Sequence, residues 1–182
     1  MSPLDDFRRQ KDAFFKHDPQ APLTPDQRKT FDGLKYYPEN PALRFAMTIE
    51  EYQTKQPVMM STSTGSVQPY LKYGQFTFEV AGEQARLQVY QDPEQGYFFL
   101  PFVDATVGET YEAGRYLEIE SERDGKFLID FNYAYNPYCA YNEPYEVNPN
   151  AVQRWSCPLP PRENYLKVRI EAGEKKYYQT DH

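Results

Sequence analysis

Residues 76–89 read FTFEVAGEQARLQV, and the period of that stretch decides the fold class. Phe76, Phe78 and Val80 alternate with Thr77 and Glu79, and after the break at Ala81-Gly82-Glu83-Gln84 the alternation resumes at Leu87 and Val89. A period of two places apolar side chains on one face of a strand, and two such runs around a glycine turn make a hairpin. Upstream, Leu43, Phe45, Met47 and Ile49 alternate with Arg44, Ala46 and Thr48. Downstream, Leu117 and Ile119 precede a turn at Asp124-Gly125, and Phe127, Ile129 and Phe131 follow it as a second hairpin. Leu166, Val168 and Ile170 give a last strand. Tyr97-Phe98-Phe99-Leu100 is a continuous apolar run, as expected of a strand covered on both faces. No strand alternates with a long helix, which excludes a doubly wound parallel fold. The pattern is mostly β: an antiparallel β-sandwich or small barrel.

The N-terminus is helical instead. Ser2-Pro3-Leu4-Asp5 offers a hydroxyl N-cap, a proline at the first helical position and a carboxylate in the first turn. Thr24-Pro25-Asp26-Gln27 repeats the signal with glutamine at the capping-box position, and Gly33 provides a stop. Leu4, Phe7, Phe14 and Phe15 form one stripe of the first helix. The 182 residues are the length of one domain, with N-terminal helices in 1–33 expected to cover an opening or face of a β core of about 42–175. Between Asn132 and Pro161 runs a long loop rich in proline and tyrosine, with Pro137, Pro144, Pro149, Pro158, Pro160, Pro161 and the single tryptophan, Trp155. Its aromatic content argues for packing, since Tyr and Trp gain much from burial.

Composition removes several function classes. Lys+Arg 20 against Asp+Glu 27 gives a net charge of −7, which opposes a phosphate-neutralising surface, so no nucleic-acid partner is expected. Met1–Asp6 has neither a basic start nor an apolar run, and no apolar stretch reaches membrane-spanning length; the expected setting is the cytoplasm, with no membrane partner. There Cys139 and Cys157 would rest as thiols, although a disulfide between them is possible if the loop folds back. The two histidines, His17 and His182, leave little for a histidine-based general base or a zinc site, and no glycine-rich phosphate loop is present. No cofactor and no metal are expected. Oligomeric state stays open.

What remains is a polar and tyrosine set in the second half of the chain: Asp104, Thr106, Glu109, Thr110, Tyr111, Arg115, Asp130, Asn132, Tyr135, Asn136, Cys139, Tyr141 and Asn164. Arg115 shares strand parity with Leu117 and Ile119, so it points toward the apolar face, where a guanidinium needs a carboxylate or an anionic ligand. Asp104 and Glu109 are nearest in sequence. Arg115 therefore fits either a structural ion pair or the floor of an anion-binding pocket. Asp130 and Asn132 share one face, opposite Phe127, Ile129 and Phe131. They either grip a hydroxylated ligand or tie down the proline-rich loop. Cys139 is a packed hydrophobe or a reactive thiol, and the tyrosines Tyr111, Tyr133, Tyr135, Tyr138 and Tyr141 flank this set.

Three functions follow. The first is a small-molecule binding module with Arg115, Asp130 and Asn132 meeting an anionic or hydroxylated ligand between tyrosine walls. The second is a structural or interaction protein whose Arg, Asp, Asn and Cys residues anchor the loop. The third is a histidine-independent hydrolase using Asp104, Glu109 or Asp130, or Cys139 as nucleophile.

The stretches PFVDATVGETYEAGRYLEI, DFNYAYNPYCAY and SCPLPPRENYLKVRIEAGEK, with FDGLKYYPENPALRF before them, resemble the family designated "domain of unknown function 1684" over nearly the whole chain. The resemblance runs through Asp104-Ala105-Thr106, Glu109-Thr110-Tyr111 and Gly114-Arg115-Tyr116-Leu117, then Asp130-Phe131-Asn132, Ala134-Tyr135-Asn136-Pro137 and Cys139-Ala140-Tyr141. It ends with Cys157-Pro158-Leu159-Pro160-Pro161, Glu163-Asn164 and Gly173-Glu174-Lys175. The connection from Asn142 to Trp155 looks expanded relative to the family. The resemblance implies no activity, and its motif positions coincide with the polar set.

Overall fold

The computed structural model describes residues 1–141 and 155–177. Two helices, α1 (Pro3–His17) and α2 (Pro25–Thr30), precede seven strands: β1 (Arg44–Met47), β2 (Glu50–Ser61), β3 (Val67–Val80), β4 (Glu83–Gln91), β5 (Phe98–Phe102), β6 (Arg115–Ser121) and β7 (Phe127–Asp130). Both helices start on the expected boxes, with Ser2 and Thr24 accepting from the backbone of Asp5 and Gln27.

The strands form one antiparallel sheet in the order β1-β7-β6-β5-β4-β3-β2. β2 to β7 are a meander, whereas β1 sits beyond β7 at the opposite edge from β2. Only Thr48 and Ile49 separate β1 from β2. Two residues span only a few ångströms, so the two edges of the sheet must meet, and the sheet rolls up. The small-barrel form of the expectation therefore fits the topology. At the meeting point Glu50 presses on β3: a Cβ on Gly74 would stand 2.5 Å from the Glu50 carbonyl oxygen, so this position admits only glycine.

Rolling the sheet creates an inner core of Phe76, Phe78, Leu87, Val89, Leu100, Phe102, Leu117, Ile119, Phe127, Ile129 and Phe131. A second layer lies on the other face: Met60, Tyr70, Tyr90, Phe99 and Tyr116. β5 contributes to both, as its unbroken apolar run required. Phe15 of α1, with Leu23 and Phe31 on either side of α2, is buried against Tyr141 in the segment that follows β7.

Two elements differ from the sequence pattern. β2 carries no clear alternation, because most of it is an exposed edge with Pro57 in it, where neither face must be apolar. Residues 166–170 alternate as expected, with Val168 and Ile170 buried, yet they are not a strand of the sheet. They belong to a C-terminal segment laid across the barrel, and much of its backbone is satisfied by side chains. Of the long loop, residues 142–154, with Pro144 and Pro149, lie outside the described residues, as does His182.

Candidate functional site

The polar set of the second half divides into groups. The deepest is Asp104, Thr106, Thr110 and Arg115, all buried. Asp104 follows the end of β5, and Arg115 opens β6 opposite Phe102. Its guanidinium lies over the Phe102 ring, with Nη2 3.3 Å from Asp104 Oδ1. It also donates to the carbonyls of Ile170 (2.9 Å), Ala172 (2.5 Å) and Glu174 (3.3 Å). Asp104 in turn accepts from the Thr106 hydroxyl at 2.9 Å and from the Ile170 amide at 2.6 Å. Thr106 shares a 2.9 Å hydrogen bond with Thr110. Burial pulls the Arg115 pKa below its ordinary value and Asp104 opposes this, but a guanidinium stays charged at any working pH. Arg115 is thus paired with Asp104 and its two Nη groups also hold the C-terminal segment, while its Nε is buried without a hydrogen-bond partner.

Three asparagines act on backbone in the same way. A primary amide carries the same donor and acceptor as a peptide group, so a buried one can pair with a strand as another strand would. Asn164 accepts from the Gln88 amide at 2.8 Å and donates to the carbonyls of Gln88 (2.9 Å) and Pro101 (2.8 Å), linking β4 and β5. Asn132 accepts from the Asn40 amide and donates to the Asn40 carbonyl, at 2.8 and 2.9 Å. Asn136 donates through Nδ2 to the Lys175 carbonyl at 3.0 Å.

Asp130 ends β7 and accepts from Asn132 and from Arg44 Nε at 2.9 Å. Asn132 lies in a 3-10 turn (Phe131–Tyr133), so the two do not share a strand face as expected. The segment they fix is Asn40–Arg44, which leads into β1, rather than the proline-rich loop.

The other members lie apart. Glu109 is on the surface, accepting from the Tyr37 hydroxyl at 3.1 Å and from Arg169; that bond to Arg169 is the main cause of its lowered pKa. Burial, followed by the bond to Glu109, pushes Tyr37 up to about 12. Tyr111 is half-buried in the turn before β6, its carbonyl accepting from Gly114. Tyr135 pairs its backbone with Tyr116 in both directions and donates its hydroxyl to Glu118 at 3.0 Å. Cys139 is joined to Cys157 by a disulfide, with the two Cα atoms 6.6 Å apart. This corrects the expectation of resting thiols and removes Cys139 as a nucleophile, since the fold brings the loop ends together.

Glu174 is the residue that composition and spacing passed over. It is buried at 1% exposure, accepts from Lys11 Nζ at 3.0 Å and from the Asn136 amide at 3.2 Å, and takes the Tyr141 hydroxyl. Burial and this carboxylate hold the Tyr141 pKa far above its usual value. The sequence signal was Lys11 itself, which falls between Phe7 and Phe15 on the apolar stripe of α1 and so needed a buried partner. Next to Glu174, Gly173 has φ +77°, and a Cβ there would stand 2.7 Å from the Ala134 carbonyl oxygen, so the C-terminal segment lies directly on the turn after β7.

Among the described residues no group of His, Cys, Asp and Glu could hold a metal ion, and no helix is long and apolar enough to cross a membrane. No curated protein matches the chain. A solved structure similar to it is the solution NMR structure of the uncharacterized protein from gene locus rrnAC0354 of Haloarcula marismortui. That protein is 34% identical, with a TM-score of 0.69 over 98% of this chain and 94% of the other. The model of the family described as "Protein of unknown function (DUF1684)" matches residues 29–175, which takes in every residue of the polar set. The chain belongs to the DUF1684 family of proteins of unknown function.

Proposed function

We propose that the chain is a non-catalytic β protein of the interaction type, in which the polar set is an internal scaffold. The observation that carries this is Arg115: it is 1% exposed, and its bonds go to Asp104 and to three carbonyls of the C-terminal segment. Asn132 and Asn164 support it, because each spends both ends of its amide on backbone, and Asn136 adds its Nδ2. A carboxylate hydrolase has less support, since Asp104, Glu109 and Asp130 are engaged by three different arginines. The Cys139–Cys157 bond favours an oxidising compartment over the cytoplasm expected from the sequence.

A small-molecule ligand keeps support from two places, one of them Arg115 Nε, which is buried without a hydrogen-bond partner. Asn136 Oδ1, the Tyr36 hydroxyl, and Arg8 Nε and Nη2 are buried without a hydrogen-bond partner, and both Asn136 and Tyr36 adjoin Glu174. Such groups usually meet water or a ligand. Thermal unfolding against an anionic and hydroxylated metabolite panel, with Arg115→Ala and Asn136→Ala alongside, separates the two. The scaffold function predicts an Arg115→Ala protein melting many degrees lower and no ligand shift dependent on Asn136. A shift in the parent that disappears in a folded Asn136→Ala protein overturns it in favour of the ligand.

A further inference from the structure

Beside the meeting point of the sheet edges lies a groove lined by no residue of the polar set. Glu51 faces Gly74 and Gln56 faces Lys72, so Tyr52, Gln53, Thr54 and Lys55 stand against Tyr73 alone. Surplus backbone of this kind is pushed out of the ladder. Here it is also held in place: Lys55 Nζ donates to the Tyr52 carbonyl and to Glu51, over the Tyr73 ring. The result is a groove of about 330 Å³ lined by Tyr52, Gln53, Thr54, Gln56 and Lys72. That volume falls at the lower end of the roughly 300–1,000 Å³ of small-molecule sites.

The chemistry of the lining narrows the occupant. Tyr52 is fixed by its hydroxyl on Gln88 Oε1 at 2.6 Å, and Gln88 is fixed in turn by Gln75 at 3.1 Å. Lys72 is paired with Glu163 at 2.8 Å, so the one ammonium of the lining is already neutralised. Gln53, Thr54 and Gln56 are exposed, and Gln56 meets Lys72 through its backbone, which leaves its side chain to the groove. Their amides and hydroxyl each donate and accept, and they carry no charge. An anion would have to displace Glu163 from Lys72. A peptide strand adding to the β2 edge would meet the register jump and Pro57, which has no N–H to give.

We propose that this groove binds a neutral saccharide, one or two sugar rings whose hydroxyls pair with Gln53, Thr54 and Gln56 against the side of Tyr52. The test is a backbone amide NMR titration of the full chain with neutral disaccharides (maltose, cellobiose, lactose), and in parallel with inorganic phosphate. The expected result is saturable shifts confined to residues 52–56 and Lys72 with at least one disaccharide. Affinity should fall at least tenfold in the Gln53→Ala, Gln56→Ala double variant, whose exposed changes leave the melting temperature unchanged. The proposal is overturned if no disaccharide gives a saturable shift there, if the double variant binds as the parent does, or if phosphate alone produces the response. Arg115→Met, which acts on the scaffold rather than the groove, keeps the two functional assignments separate: any of it that stays folded should bind the sugar normally.

Discussion

Asp104 and Arg115 hold the backbone of Ile170 at both its polar groups: the carboxylate accepts from its amide, and the guanidinium donates to its carbonyl. A segment that reads in sequence as a last strand thus finds partners in these two side chains and in the backbone of Val103 and Ala105. The barrel gains a cover without adding another strand to the sheet.

Removing either partner should leave the other buried and uncompensated. Arg115→Met and Asp104→Ala are each expected to cost about 3–5 kcal/mol, the usual penalty for breaking a buried pair. Arg115→Lys should recover little, since a single ammonium cannot reach three carbonyls and a carboxylate. Denaturant unfolding measures this; parent-like midpoints for all three variants would contradict the clamp.

Alkali should destabilise the fold through its tyrosines. Tyr37 is pushed up to about 12 against an ordinary value of 10.0, and burial raises Tyr36, Tyr90, Tyr135 and Tyr141 as well. The folded state therefore keeps protons that the unfolded state has lost. This contribution to stability is complete below pH 10 and disappears as pH rises through about 12 and beyond. A tyrosinate absorbance titration followed together with circular dichroism should show the raised tyrosines ionising only as the protein unfolds.

The disulfide closes a loop over a sequence separation of 18. Reduction, or Cys139→Ser with Cys157→Ser, should cost about 3 kcal/mol, as expected for a loop near that length. Thiol titration of the unreduced protein should find no free cysteine, and alkylation in cells should find the pair oxidised. A fully reactive pair at neutral pH would return the chain to the reducing setting.

At the β3–β4 turn, Ala81 has φ +50° and is followed by Gly82 at φ +84°. A tight hairpin turn of this hand prefers asparagine at the first position. Ala81→Asn should therefore stabilise by several tenths of a kcal/mol, read as a small rise in melting temperature, and Ala81→Val should lower it.

The mostly β fold was legible because Phe76–Val89 and Leu117–Phe131 alternate cleanly across glycine turns. β2 was not: its residues lie on an exposed edge where polarity is tolerated on both faces. Arg115 was legible from strand parity, and Asp104 from its nearness in sequence. Glu174 was hidden in the polar run Gly173-Glu174-Lys175-Lys176, where nothing marks one carboxylate as buried. Its partners come from α1 and from the segment after β7, more than 30 residues away in each case. The groove could not be found either, since a register jump leaves no trace in residue types.

The two-residue link between β1 and β2 has a consequence for truncated chains. A protein beginning after Met47 would keep the meander from β2 to β7 yet lose the strand that seals β7. The open edge from Phe127 to Asp130 would then be available to any extended chain of matching alternation, whether a synthetic peptide copying residues 44–47 or the same stretch of a neighbouring molecule. Fragment complementation, or strand exchange between copies, is thus built into the order in which this chain lays down its strands.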